Sequence, residues 1–180
     1  MKIGIITLQL EYNYGGILQA YAMEEVLRRL GHEVEHIEKR KKNYLLPLKT
    51  RYLVYLKRAL RRYILGENIR VFQEQYIHDT YDVVTQYTNR FMNVYLKRKY
   101  VSSFSEIREY DYDAYVVGSD QIWRSEYICK ADNFAPFLDF TTGWNVRRVA
   151  YACSFAKDGW YYSSKATNCA AELLKKFDAI

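Results

Sequence analysis

The chain has 180 residues, enough for one α/β domain with its own core and too few for two large ones. With 49% hydrophobic residues it is no disordered polyelectrolyte, and no apolar run approaches the roughly 20 residues of a membrane helix. The net charge of +6 is a local feature: ten of the 27 basic residues fall in residues 39–66, which hold no acid, while the other 17 face 21 acids.

Residues 2–7 read as a buried strand, with Ile3, Ile5 and Ile6 in a short apolar run. No cleavage site follows, so this start is not read as a signal peptide. A polar loop over 9–14 leads to Gly15-Gly16, which open a helix. Leu18, Ala22, Val26 and Leu30 recur every four residues, beside Met23 and Leu27, and form one apolar stripe, the side with which such a helix packs. Gly31 stands where a C′ glycine belongs, and 33–37 reads as a second strand. Strand, helix and strand in so short a span make a βαβ unit and imply a parallel sheet.

The basic segment interrupts this rhythm. Pro47 marks a break, and 51–65 reads as a helix. Leu53, Leu56, Leu60 and Ile64 make its apolar side; Arg51, Lys57, Arg58, Arg61 and Arg62 make its basic side. A longer polar helix over 69–92 is expected to break near 81–84. The sheet resumes at 114–117 and ends in Gly118-Ser119-Asp120, a turn with a capping residue before a short helix. Residues 137–140 suggest a short extended piece, 146–152 a further strand, and 166–177 a helix. Residues 178–180 look like the opening of another strand. A parallel strand needs neighbours and cover on both faces, so the chain is expected to be part of a longer protein.

Cys129, Cys153 and Cys169 are odd in number and form no C-x-x-C pair, which argues against a disulfide framework or a zinc site and for a reducing cytoplasm. His32, His36 and His78 show no ligand spacing; the first two flank a predicted surface strand and read as structural or solvent-facing. No metal site is expected. The 19 tyrosines suit half-wet surfaces, sugar stacking and oligomer contacts without choosing among them, so self-association into a homo-oligomer stays open.

Three segments carry chemistry, and all follow the C-terminal ends of predicted parallel strands, where open α/β sheets bind ligands. In the first, Asn13 to Gln19, Gly15 and Gly16 let a ligand approach bare backbone at a helix start; the alternative is a relaxed loop with nothing bound. It lacks the glycine spacing of a dinucleotide fingerprint. In the second, Gly118 to Trp123, Asp120 is placed to act as general base on a sugar hydroxyl and Trp123 to stack on a sugar ring; equally, Ser119 or Asp120 caps a helix and Trp123 fills the core. In the third, Tyr151 to Phe155, Ser154 and its backbone suit phosphate or hydroxyls. Cys153 has no histidine nearby in sequence and reads as small buried filler.

Taken together these segments resemble the polysaccharide pyruvyl transferase family. The shared features are Asn-Tyr-Gly followed by Leu-Gln (Asn13 to Gln19), Tyr112-Asp113 leading through a strand into Gly-Ser-Asp-Gln-x-Trp (Gly118 to Trp123), Leu138-Asp139-Phe140, and Ala-Tyr-x-x-Ser-Phe (Ala150 to Phe155). Arg124-Ser125 and Ala156-Lys157 depart from the family's usual residues, and the basic segment is not a family pattern.

The resemblance implies two Rossmann-like lobes facing across a cleft, as in glycosyltransferases of the GT-B kind. It implies phosphoenolpyruvate as donor and no cofactor. The implied acceptor is a sugar with two nearby hydroxyls in a lipid- or nucleotide-linked glycan precursor of the cell surface. The product is a cyclic pyruvate ketal, with phosphate released. Residues 1–180 then form the acceptor-side lobe, with a helical insert at about 39–100 and no activity alone. The donor's charges would be held by basic residues of the other lobe. Tyr14, Gly15, Gly16, Gln19, Gly118, Ser119, Gln121, Trp123, Ser154 and Phe155 are the candidate substrate-binding residues, with Asn13 to orient and Asp120 as base. The alternatives are a nucleotide-sugar glycosyltransferase lobe and a non-catalytic glycan-binding scaffold.

For the basic helix, one reading is docking on an anionic membrane through Lys57, Arg58, Arg61 and Arg62, at the inner face of the membrane. The other is an ordinary amphipathic helix packed on the sheet. A nucleic-acid partner is not expected.

Overall fold

The computed structural model describes residues 1–11, 13–39, 47–128 and 134–180, Lys49 by its backbone only. Arg40, Lys41 and Lys42 of the basic run and Cys129 thus lie outside the described residues.

Five strands form: β1 (Lys2–Ile6), β2 (Glu33–Lys39), β3 (Arg98–Val101), β4 (Ala114–Gly118) and β5 (Arg147–Tyr151). They pair in parallel in the order β3-β2-β1-β4-β5. Ile5 sits between His36 and Val116 at the centre. This is the order of a doubly wound α/β sheet, in which the winding reverses between β1 and β4. Past β5, Val149 forms a parallel bridge with Ala179, so residues 178–180 begin to pair, as the sequence suggested.

Alternation sorts the strand side chains onto two faces. Ile3, Ile5, Val34, Ala114 and Val116 pack with Met23 of α1 (Tyr14–Arg29). Ile6, Ile37, Tyr115, Val117 and Ala150 pack on the other face, with Ala166, Ala170 and Leu173 of α5 (Ser164–Leu174) and the turns at 135–141. Residues 137–140, expected to be extended, are instead two 3-10 turns joined at Leu138, which is buried in left-handed backbone (φ 56°).

The chain divides into two compact units, Met1–Arg40 with Thr88–Ile180, and Lys41–Tyr87. The first holds the sheet. The second holds α2 (Leu48–Tyr63) and the start of α3 (Gln73–Tyr95), which runs without the expected break at 81–84. Within the second unit Arg58 forks onto the Glu74 carboxylate at 2.6 and 2.8 Å, Arg61 pairs with Glu67, and Arg62 donates to the Ile69 carbonyl. Tyr55 meets Phe72 edge-on at 4.9 Å. Arg58, Arg61 and Arg62, expected as membrane contacts, therefore hold the unit together, and the leucines of α2 are exposed.

The apolar stripe of α1 is split: Met23 and Leu27 pack on the core, and its four-residue row faces out. Tyr14, Leu18, Val26 and Leu30 are exposed, and the buried residues are Ile17, Ala20, Met23 and Glu24. A strict four-residue spacing drifts about 40° per step around a helix of 3.6 residues per turn, so those positions never shared one inward line. The inward side carries a carboxylate. Glu24 is fully buried; it pairs with Arg28, accepts the Lys97 amide at 3.1 Å, and lies 3.0 Å from the His36 ring. His36, expected on a surface strand, is accordingly interior; His32 is half-buried and His78 exposed.

Candidate functional site

Where the sheet reverses, the loops after β1 and β4 part and leave a crevice at the carboxyl ends of the strands, the usual ligand position in such sheets. A cleft of about 440 Å³ lies there. Thr7, Leu8, Gln9 and Leu10 wall it after β1, Asn13, Gly15, Gly16 and Gln19 at the start of α1, and Ser119, Asp120 and Gln121 after β4. Tyr127 of α4 (Ser125–Ile128) completes the wall.

The start of α1 is built by its cap. Asn13 is extended, and its Oδ1 accepts the Gly16 N–H at 3.3 Å while its carbonyl accepts the Ile17 N–H at 3.0 Å. That leaves the Asn13 amide Nδ2 to offer donors. The first-turn N–H groups of Tyr14 and Gly15 have no intrahelical acceptor, and the helix dipole adds partial positive charge. A Cβ added at Gly15 would meet only Asn13 Oδ1 at 3.4 Å, so packing does not demand the glycine; its absence of side chain leaves the cleft wall open. Tyr14 is exposed and does not line the cleft.

The β4 loop is built by close approach. A Cβ on Gly118 would lie 1.9 Å from Met23 Cε, so the bare glycine lets α1 sit against the strand end. Gly118 itself is behind the cleft wall. Ser119 follows at φ 144°, a backbone region that L residues rarely adopt, and it is buried. Its Oγ donates to Asp120 Oδ1 at 3.4 Å. Strain of this kind is held by surrounding structure, and here the β5 loop supplies it. Ser154 Oγ donates to the Asp120 carbonyl, and the Ser154 carbonyl accepts the Trp123 N–H at 3.3 Å. Ala152 (φ 53°) and Ala156 (φ 56°) give that loop its course.

The candidate residues thus fall into two groups. Asn13, Gly15, Gly16, Gln19, Ser119, Asp120 and Gln121 share one cleft. Ser154 and Phe155 do not face it: Ser154 clips the β4 loop from outside, and Phe155 packs among Trp123, Trp160 and Tyr162. Trp123 is in the core rather than on a sugar. Its ring is stacked on Phe137 at 5.2 Å, its indole N–H donates to the Pro136 carbonyl at 2.9 Å, and no face is left for a ligand. Cys153 donates to the Val117 carbonyl at 3.2 Å, and burial pushes its thiol up to about 12. Leu138-Asp139-Phe140 serves packing: Phe140 stacks on Phe104, and burial pushes the Asp139 carboxyl up.

The sequence reading missed Thr7, Gln9 and Tyr127. Thr7 and Gln9 follow the first strand directly, so the rule that placed the other segments at the sheet's edge reaches them too.

Among the described residues no arginine or lysine lines the cleft, and Asp120 is its one charged side chain. Two bases beside the β4 loop, Arg124 and Lys157, are both paired with Glu126. Arg124 bonds Gln121 Oε1 at 3.3 Å and pairs with Glu126 at 3.2 Å. Lys157 also binds Glu126, and its hydrogen bond holds that carboxyl down at about 2. No group of three His, Cys, Asp or Glu side chains among the described residues could hold a metal ion. The cleft therefore joins hydroxyl and amide groups and a single carboxylate to the apolar side chains of Leu8 and Leu10, a lining suited to a polyhydroxylated ligand.

In a comparison with known protein families, the model of the polysaccharide pyruvyl transferase family matches residues 13–180. No curated protein matches the chain.

Proposed function

The chain belongs to the polysaccharide pyruvyl transferase family, and from that premise we propose that its cleft holds the sugar acceptor while the donor's charges are gripped outside it. The observation that carries this division is the cleft wall: amides, hydroxyls, two leucines and one carboxylate, with no cation among the described residues. Phosphoenolpyruvate, the proposed donor, brings a phosphate and a carboxylate, which call for arginine or lysine in fixed geometry. A sugar brings neutral hydroxyls, which Thr7, Gln9, Asn13, Gln19, Ser119 and Gln121 match. The donor grip then belongs to a second lobe of the GT-B kind.

In the proposed reaction two sugar hydroxyl oxygens form bonds to the central carbon of phosphoenolpyruvate. The methylene takes a proton and becomes methyl, the bond from the central carbon to the phosphate oxygen breaks, and of the two hydroxyl protons one balances that taken by the methylene and the other leaves with the phosphate, giving a cyclic ketal and inorganic phosphate. Asp120 is the base for one hydroxyl. It stands on the cleft wall in an exposed carboxylate position, and Ser154 fixes its backbone from behind. Asn13 orients the acceptor through Nδ2, its Oδ1 being used by the helix cap. The reducing cytoplasm is the proposed compartment, which the free thiols of Cys153 and Cys169 support. No helix among the described residues is long and apolar enough to cross a membrane.

The test is phosphate release from phosphoenolpyruvate by the enzyme containing this chain, with and without a glycolipid extract of the source cells. Acceptor-dependent release is expected. Asp120→Asn should lower its rate by roughly 10²–10⁴-fold, the scale of a lost general base. Wild-type turnover in Asp120→Asn would remove the base from the mechanism. Hydrolysis of nucleotide sugars in place of phosphoenolpyruvate turnover would replace the donor.

A further inference from the structure

Helix α2 has its amphipathicity reversed. Three of its arginines bind within its own unit, where Arg58 holds Glu74, Arg61 holds Glu67 and Arg62 holds the Ile69 carbonyl. Its apolar residues turn out. Tyr52, Leu53, Leu56, Leu60, Tyr63 and Ile64 are all between 49% and 77% exposed. Positions 52, 56, 60 and 63 and positions 53, 60 and 64 follow helical spacing, so the six form one continuous flank. A flank of that breadth needs an apolar medium to cover it.

Charge decides among occupants. Residues 41–87 carry nine Lys and Arg against four Asp and Glu. A second copy seated on this flank would bring the same positive excess against it. An anionic lipid surface brings the opposite charge, together with an apolar interior for leucine and an interfacial layer for tyrosine. Lys57 is exposed and lies next to Leu56 in the chain, as flanking bases of interfacial helices do. We infer that α2 docks the chain on an anionic bilayer, lying in the plane of the surface with Leu53, Leu56, Leu60 and Ile64 immersed and Tyr52 and Tyr63 at the headgroup level. This differs from docking through Arg58, Arg61 and Arg62: those arginines shape the unit, and the leucines enter the lipid. The inference stands whichever reaction the first unit supports.

The experiment is co-sedimentation of the whole chain with vesicles of phosphatidylcholine alone or with about 30% phosphatidylserine. Binding to the anionic vesicles is expected, weakened several-fold by high salt and by Lys57→Glu. The pair Leu56→Glu and Leu60→Glu should cut it at least about tenfold. Both positions are solvent-facing, and circular dichroism should show the helix content kept. A second readout needs no disruptive change: Leu56→Cys carrying an environment-sensitive dye should shift to the blue on anionic vesicles. Failure to bind, or binding and dye emission untouched by these changes, overturns the inference. A lipid-free, concentration-dependent dimer that the leucine variants abolish also overturns it, and assigns the flank to a second copy.

Discussion

Trp123 shows how two chemical meanings of one residue separate. The indole is enclosed, its N–H is satisfied by Pro136, and its carbonyl accepts the Tyr162 hydroxyl at 2.7 Å. The sequence left stacking and core packing level, because the partners that decide between them stand 13 residues or more away. Trp123→Phe keeps the stack on Phe137 but orphans the Pro136 carbonyl. It should cost about 1–2 kcal/mol in chemical denaturation and leave acceptor KM unchanged. Trp123→Ala should cost about 3–5 kcal/mol. A large KM change in Trp123→Phe with stability intact would restore the stacking role. Cys153 was legible from the start, since no histidine was at hand to activate it. With the thiol pushed up to about 12 by burial, it stays protonated at every pH where proteins are usually labelled. Peptide mapping after maleimide treatment at pH 8 should find the exposed Cys169 modified and Cys153 spared, with Cys153 gaining reactivity only when the fold is lost.

At the scale of elements, four strands were readable: β1 and β4 are dense apolar runs, and β2 and β5 keep buried apolar positions among polar ones. β3 was not. It is an edge strand whose residues Arg98, Lys99 and Tyr100 are polar or half-exposed, and only Val101 is buried, so the sequence carries no alternation to detect. The face of α1 was misread for a related reason. Its true inward side includes Glu24, whose Oε1 is held by Arg28 and the Lys97 amide and whose Oε2 lies 3.0 Å from the His36 ring, and two of these three partners are distant in sequence. A hydrophobicity pattern counts Glu24 as outward and promotes the leucines instead. Two substitutions distinguish the faces. Leu18→Ser, on the exposed side, should change stability by no more than about 0.5 kcal/mol, whereas Ile17→Ser, on the packed side against Leu10 and Met92, should cost about 2–4 kcal/mol. Glu24→Leu adds apolar volume to the interior yet should cost about 3 kcal/mol in urea unfolding, because it strands the Lys97 amide and leaves His36 and Arg28 without their acid. A neutral Glu24→Leu would mean that the carboxylate is not what holds α1 to β2.

For the whole molecule, sheet order and charge distribution carry the functional argument together. The order β3-β2-β1-β4-β5 was implied only in part by the βαβ start, yet it is what brings the β1 and β4 loops to one crevice. The sequence predicted that ligand residues would follow parallel strands; Asn13, Gln19 and Asp120 do share one wall, and Ser154 and Phe155 lie on its β5 side. Charge then divides the chain's work. Positive excess collects in residues 39–66, and the cleft of the first unit holds no cation among its described residues. A pocket so lined should tell a neutral diol from an anion. Titrating the isotope-labelled chain with methyl hexopyranosides should shift the amides of Asn13, Gly15, Gly16 and Gln121 with millimolar affinity, about 4 kcal/mol of binding. Phosphoenolpyruvate at the same concentration should leave those amides in place, because an anion entering there meets Asp120 and no compensating guanidinium. Asp120→Asn removes that one negative charge, so it should let phosphoenolpyruvate begin to perturb the Gly15 and Gly16 amides at the helix start. Strong shifts with phosphoenolpyruvate in the wild-type chain, and none with the hexopyranosides, would turn the assignment around and make this cleft the donor's.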